Sequence, residues 1–323
     1  MSIFYVGGYG EESLHVCEGQ EVIDILPVKN ASYLCFSKDR SRLYAVSETE
    51  NGGVAAFAVE DDGGLAYIND GLTGGDHPCH LSISPNGKLL YVANYSSGST
   101  TIFTLESATG GIGECITVVD HQGFGAPSNT VPERQLRSHA HYVQSFGDHI
   151  LVCDLGLDAV LKLGVKGALI DKNDLPPGFG PRHLVLRPGK KTPIYVLGEL
   201  ESAVMPLGGM PVSLGVPKGT TISAAIRVSP DSRYLLASNR IGSADGSISV
   251  LMLRENGAIA EGSEKVFSSG GRCPRDFVFD PTGSKVYVAN QDSNRVDILN
   301  WNDGDLDHSG LSFEVTNPTC VLF

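Results

Sequence analysis

The sequence predicts an all-β protein, a seven-bladed β-propeller whose ring is closed by N-terminal and C-terminal strands in one blade, and three observations carry that prediction. One plan recurs along the chain: HPCHLSISPNGKLLYVANYSSGSTTIF from His77 to Phe103, SAAIRVSPDSRYLLASNRIGSADGSISVL from Ser223 to Leu251, and PRDFVFDPTGSKVYVANQDSNRVDIL from Pro274 to Leu299. Each copy has a small-residue start, an alternating strand, a P-x-G or P-D-S turn, a second strand such as L-Y-V-A-N, a polar corner and a third strand. A period of about 40 residues with several short strands per unit is the mark of blades around an axis. The composition agrees, with 39 Gly and 17 Pro for many turns and no long helical period. The two termini complete the count.

Taken in order, the opening IFYVGGY matches a second strand, with Tyr5 where Tyr91 and Tyr287 stand, but no first strand precedes it. The ending NPTCVLF matches a first strand and stops. Joined, they make one copy, which with six internal copies gives seven, and the seam leaves no free sheet edge. Weaker copies start at Ser32 and His139. Between them and the Ser223 copy lies GPRHLVLRPGKKTPIYVLGELESAVMPL, Gly180 to Leu207, whose apolar runs Leu184 to Leu186 and Ile194 to Leu197 flank a Pro/Gly/Lys turn and read as a hairpin. Residues 1–323 are expected to form a single domain.

Composition bounds the function. The net charge of -13 argues against nucleic acid or an anionic membrane as partner, since both need a basic face. It leaves room for a small anionic substrate held by a few local arginines. MSIFYVGGYG lacks the basic flank and apolar core of a signal peptide, and no 18-residue apolar run exists, so a soluble, cytoplasmic protein is expected. Seven cysteines, an odd number without a C-x-x-C pair and several of them inside apolar strands, read as buried thiols.

Aligning the repeats gives position a chemical meaning. Counting six back from each turn proline or its equivalent yields a first ring of Ser32, Cys79, His139, Arg182, Ala224, Arg275 and Thr319. The residue after each second-strand corner yields another: Tyr9, Glu48, Tyr95, Leu155, Glu199, Arg240 and Gln291. The first ring would put His139, Arg182 and Arg275 around a single opening; the second is ligand-sized, polar and ionisable, and whether both face one mouth is left open. Corner spacing is 39 from Tyr9 to Glu48 and 47 to Tyr95, but 60 from Tyr95 to Leu155. The excess lies in the polar stretch VVDHQGFGAPSNTVPERQLRSHAH, which brings Glu133, Arg134 and Arg137 close to His139 and His141, on the kind of loop where binding residues concentrate.

The sequence resembles the seven-bladed propeller lactonases, the bacterial 6-phosphogluconolactonases and the fungal 3-carboxy-cis,cis-muconate lactonizing enzymes. The resemblance spans essentially the whole chain and rests on PERQLRSHAHYV, DLGLDAV, GPRHLVLRP followed by LGELESAV, the SNR corner at Asn239, and PRDFVFDPTG followed by YVANQDS. It implies a site without metal or cofactor, in which His139, Arg182, Glu199 and Arg275 are catalytic. His141 competes for the histidine role, because an H-x-H pair on a strand points both side chains one way. Arg134, Arg240 and Gln291, with His141, are expected to bind substrate. The implied reaction is hydrolysis of 6-phospho-D-glucono-1,5-lactone by a monomer or homodimer; the alternatives are the cyclising muconate reaction and a non-enzymatic binding propeller.

The chemistry fits those residue types. Lactone hydrolysis needs a base for water, a role open to His139 or Glu199, and donors for the oxygen on which charge develops. Guanidinium forks suit a phosphate. Each residue also has a structural reading: Arg182 and Glu199 as a hairpin ion pair, His139 and His141 as hydrogen-bonded fillers, Arg275 as a bridge between blades. His77 and His80 diverge on a strand and imply no metal. No nucleophile elbow, P-loop or dinucleotide fingerprint is present.

Overall fold

In the computed structural model, which describes residues 3–190 and 193–323, twenty-eight strands form seven four-stranded antiparallel sheets among the described residues. Six sheets are built from consecutive strands. The remaining one has the strand order Pro318–Leu322, Ile3–Gly8, Leu14–Glu18 and Glu21–Leu26, the split copy expected from the termini. The all-β, seven-bladed propeller expectation therefore holds. The chain parts into two compact units, Met1–Gly180 with Leu322 and Pro181–Val321 with Phe323.

The second strand of each blade is apolar at successive residues because both of its faces pack. In Leu89–Asn94 of the first unit, Tyr91 and Ala93 join a core with Val143 and Val152, while Leu90 and Val92 join a different core with Tyr44 and Val46. In Tyr234–Ile241 of the second unit, Leu235 and Ala237 pack with Tyr195 and Leu197, whereas Leu236 packs with Phe277 and Val288. The side-chain period of two sends alternate residues to opposite neighbours. Outer strands such as Leu169–Asp174 have one covered face at most and are largely exposed.

A bulge recurs at the start of the first strand. Pro78 pairs with Asn94 and His80 with Ala93, so the register skips Cys79. Pro181 pairs with Gly198 and His183 with Leu197, skipping Arg182; Pro274 pairs with Asn290 and Asp276 with Ala289, skipping Arg275. Ala140 pairs with Asp154 and Tyr142 with Cys153, skipping His141. Such a bulge re-aims one side chain without ending the sheet. The residue two before the bulge, which leads into the blade, has left-handed backbone at His77, Gly180 and Cys273.

Successive blades also meet through a glycine. A Cβ on Gly246 would run into the Pro274 ring and lie 2.6 Å from the Asn239 carbonyl oxygen, and one on Gly52 would strike Pro78 and lie 2.8 Å from the Ser47 carbonyl oxygen. Backbone and proline give little, so Gly246→Ala is expected to cost about 1–3 kcal/mol by overpacking. Thermal unfolding should show a lower midpoint for Gly246→Ala, beside an unchanged one for Gly123→Ala, whose added methyl meets nothing within 4 Å.

Candidate active site

In the second unit the hairpin Pro181–Leu186 and Ile194–Gly198 holds Arg182 and Glu199 at its open end. Arg182 Nη1 donates to Glu199 Oε2 at 2.7 Å, and its Nε donates to the Ala224 carbonyl at 2.7 Å. Arg240, from the corner of the next blade, reaches the same Oε2 at 3.3 Å and donates to the Ser223 carbonyl at 3.1 Å. Glu199 is 1% exposed and Arg182 4%. Two guanidinium groups thus share one buried carboxylate, an arrangement held by charge as much as by packing.

Arg275 is half-buried at the same bulge position one blade further on. Its charge reaches this cluster: burial pushes the Arg240 guanidinium below its ordinary value, Glu199 opposes that, and Arg182 and Arg275 add to it. Cys273, which leads into the Arg275 blade, lies in the same field. Burial raises its thiol, while Arg240, Arg275 and Arg182 pull it back. Gln291 donates its backbone N–H to the Cys273 carbonyl at 3.0 Å, and its side-chain oxygen lies 3.9 Å from the Cys273 sulfur. Arg182, Glu199, Arg240, Arg275 and Gln291 therefore belong to one neighbourhood. Members of both sequence-derived rings meet there.

In the first unit His139 is half-buried and stacks on Tyr95, with ring centroids 4.5 Å apart. Its Nδ1 lies 3.0 Å from the Tyr95 carbonyl oxygen. A carbonyl only accepts, so Nδ1 carries the proton and the neutral ring keeps its lone pair at Nε2. Burial pushes the imidazole below its ordinary value; the Tyr95 carbonyl and Asp154 oppose that, and Arg137 and Arg134 add to it. Arg134 donates to the Tyr95 hydroxyl at 3.2 Å, bringing the insertion onto this ring system. His141, 4% exposed, packs edge-on to Tyr95 at 5.4 Å, with its Nδ1 3.9 Å from the Cys79 sulfur.

The strand register revises one alignment. The bulge position held by Arg182 and Arg275 is held in this blade by His141; His139 stands two residues earlier, at the position of His77 and Cys273. The count of six was taken from Ser145, but the strand Ala140–Ser145 runs through that residue and turns beyond it. The backbone bonds agree: His139, His77 and Cys273 each accept from the corner residue of their blade, Leu155, Tyr95 and Gln291. Asp154, His121 and Ser138, absent from the sequence-derived site, lie directly against His139 or its anchor. Their signal was an ionisable Asp154 at a corner where Asn94, Asn239 and Asn290 stand in other blades. A separate cleft of about 530 Å³, lined by Leu26, Val28, Ser47, Val54 and Phe57 among others, touches none of the named site residues.

None of the seven cysteines forms a disulfide, and four are buried. Among the described residues no helix is long and apolar enough to cross a membrane. The buried ion pair makes a stability prediction. Arg182→Ala strips Glu199 of its nearest cation in a dry setting and is expected to cost about 3–5 kcal/mol, so its melting temperature falls, contrary to what a surface site residue would show. Arg275→Ala, half-exposed, is expected to melt near the wild type; denaturant unfolding of both variants checks this.

Comparison with known proteins finds relatives over most of the chain. The chain is 29% identical over 315 residues to a 6-phosphogluconolactonase of Bacillus subtilis (strain 168), covering 91% of this chain and 87% of that protein. It is 30% identical over 304 residues to a 6-phosphogluconolactonase of Formosa agariphila, covering 87% and 84%. The solved structure of the periplasmic gluconolactonase PpgL of Pseudomonas aeruginosa superposes with a TM-score of 0.86 at 27% identity, over 99% of this chain and 98% of that one. The profile of the family described as Lactonase, 7-bladed beta-propeller matches residues 18–323, and the chain belongs to that family.

Proposed function

We propose that the protein hydrolyses a phosphorylated sugar lactone, with 6-phospho-D-glucono-1,5-lactone as its substrate. The observation that carries this reading is the buried Glu199 carboxylate shared by Arg182 and Arg240, with the half-buried Arg275 in electrostatic reach of Arg240. A cluster so rich in guanidinium groups favours an anionic ligand, and the planar fork suits phosphate oxygens as well as the oxygen of a tetrahedral intermediate. The periplasmic gluconolactonase is the relative whose name points to an unphosphorylated lactone; the arginines favour the phosphorylated one.

His139 is proposed as the base, because its Nδ1–H is engaged by the Tyr95 carbonyl and Nε2 keeps its lone pair. A water proton passes to His139 Nε2 while the water oxygen adds to the lactone carbonyl. The intermediate collapses with cleavage of the ring C–O bond, and the departing alkoxide takes a proton back from the imidazolium. An arginine aimed at the oxyanion acts where charge appears, and losing such a donor typically costs about 2.7–4 kcal/mol in the barrier. Glu199, held by two arginines, is better suited to fixing those forks than to taking a proton.

The decisive assay compares freshly made 6-phosphogluconolactone, the unphosphorylated lactone and 3-carboxymuconate, each against its uncatalysed rate. Turnover is expected with the first, with Arg275→Ala raising its KM about tenfold or more; turnover of carboxymuconate alone would install the cyclising reaction instead. His139→Gln is expected to lower kcat by about 10²–10⁴-fold, and an equal loss in His141→Gln alone would transfer the role to that residue.

The pH dependence follows from the same group. The base works when neutral, so activity is full above its folded-state value and is lost as pH falls through it. Burial lowers that value, which sets the acid limb of kcat/KM below the ordinary histidine value of about 6.5. Arg134→Ala removes a positive neighbour and is expected to move the limb upward. A limb that moves down in a pH–rate profile contradicts the assignment.

A further inference from the structure

Asp154 sits at a blade corner and is fully buried. In three other blades that corner is an asparagine whose amide donates to the third strand: Asn94 to Ser99 and Thr101 at 3.0 and 2.9 Å, Asn239 to Ser249 at 2.8 Å, Asn290 to Asp297 at 2.7 Å. The fold is therefore served by a neutral amide. A carboxylate at this depth is costly unless its bonds repay it, and Asp154 points its bonds elsewhere.

We propose that Asp154 is the positioning residue for the His139 imidazole, and that His121 holds the Asp154 carboxylate in place. One oxygen, Oδ1, accepts from the His139 backbone N–H at 2.8 Å and the Leu157 N–H at 3.1 Å. The other, Oδ2, accepts from Ser138 Oγ at 2.5 Å and from His121 Nδ1 at 2.9 Å. Both residues of the peptide leading into the imidazole are thus tied to one carboxylate. At the equivalent positions His77 and Cys273 the backbone is left-handed; at His139 it is not. The bond from His139 N–H to Asp154 accompanies that departure and sets the ring against Tyr95.

His121 comes from the insertion, immediately after the strand Ile112–Asp120, and its Nε2 lies 3.0 Å from Thr100 Oγ1. Thr100, His121 and Asp154 have the order of a hydroxyl, imidazole and carboxylate relay, yet all are fully buried. No substrate reaches that hydroxyl, so the chain acts on its neighbour His139. The charged groups around His139 are Asp154, which favours its protonated form, and Arg134 and Arg137, which oppose it.

This inference rests on the reading of His139 as the base, and the test separates the two. In the full-length protein, Asp154→Asn keeps the acceptor for His139 N–H but turns an amide toward His121 and Ser138. It is expected to lower kcat about 10- to 100-fold, the size of effect a small misplacement of a reacting group produces, with KM changed less than about threefold. An NMR titration of the His139 ring should show its pKa lowered, because a negative neighbour is gone. Ser138→Ala, which removes one donor and leaves the carboxylate, carries the test if Asp154→Asn does not fold; it is expected to lower kcat severalfold and to shift the His139 ring resonances. Folded variants with wild-type kcat, or with reduced kcat and an unmoved His139 titration, overturn the proposal. If His139→Gln retains full kcat, the base assignment fails by itself, while the titration still judges the hold of Asp154 on His139.

Discussion

The feature on which much of the candidate site depends is the bulge at the head of the first strand in four of the blades. A regular ladder would commit every residue there to the alternating inward and outward directions of the pleat, and packing would fill those positions with apolar side chains. By skipping one residue of the ladder in these blades, the chain gains a position whose side chain is not chosen by the core. The same geometric slot then holds a thiol at Cys79, an imidazole at His141 and guanidinium groups at Arg182 and Arg275. Fold and site are thus nearly independent: the first is paid out in Val, Leu and Ala of the second and third strands, the second in single residues at their ends.

Electrostatics sets some of these slots apart from the others. Buried charges survive only with partners, since desolvation exceeds the gain from any imperfect pair. Glu199 has Arg182 and Arg240, and Arg182 also has the Ala224 carbonyl. An apolar core in that place would hold the blades equally well, and a fold assembled only for stability has no reason to bring Arg182 and Arg275 where their charges depress Arg240. Strain of this kind is more economically explained by a ligand than by the scaffold. The asparagine corners make the comparison within one molecule. They satisfy their blades with neutral amides, and of the acidic residues at or beside corners, Glu48, Asp154 and Glu199, the last two lie in the blades that carry His139 and Arg182.

Much of this was legible in the sequence because propeller repeats convert distance along the chain into shared position. The turn prolines Pro85, Pro188, Pro230 and Pro281 gave reliable phase, and Arg182 and Arg275 fell on the same slot as a result. Where a blade lacks that proline the phase drifts, as it did by two residues at Ser145, and His139 was assigned the slot of His141. The bulge itself leaves no mark in hydrophobic alternation. Nor could periodicity foresee that His121, thirty-three positions from Asp154, would return from the insertion to meet it, for loop paths depend on tertiary contacts that no local pattern encodes.

The insertion is where the two kinds of information join. It lengthens one blade interval and would, as an unstructured loop, add only entropy to be lost. Instead it is tied down at several places: His121 to Asp154, Gln135 to the Leu155 carbonyl at 2.8 Å, and Arg134 to the Tyr95 hydroxyl. Those anchors are the corner of its own blade and the aromatic ring against which His139 lies. A segment held so specifically to the surroundings of one half-exposed imidazole, and carrying cations that help keep that imidazole neutral, is explained by the chemistry of His139 more directly than by the stability of the blade.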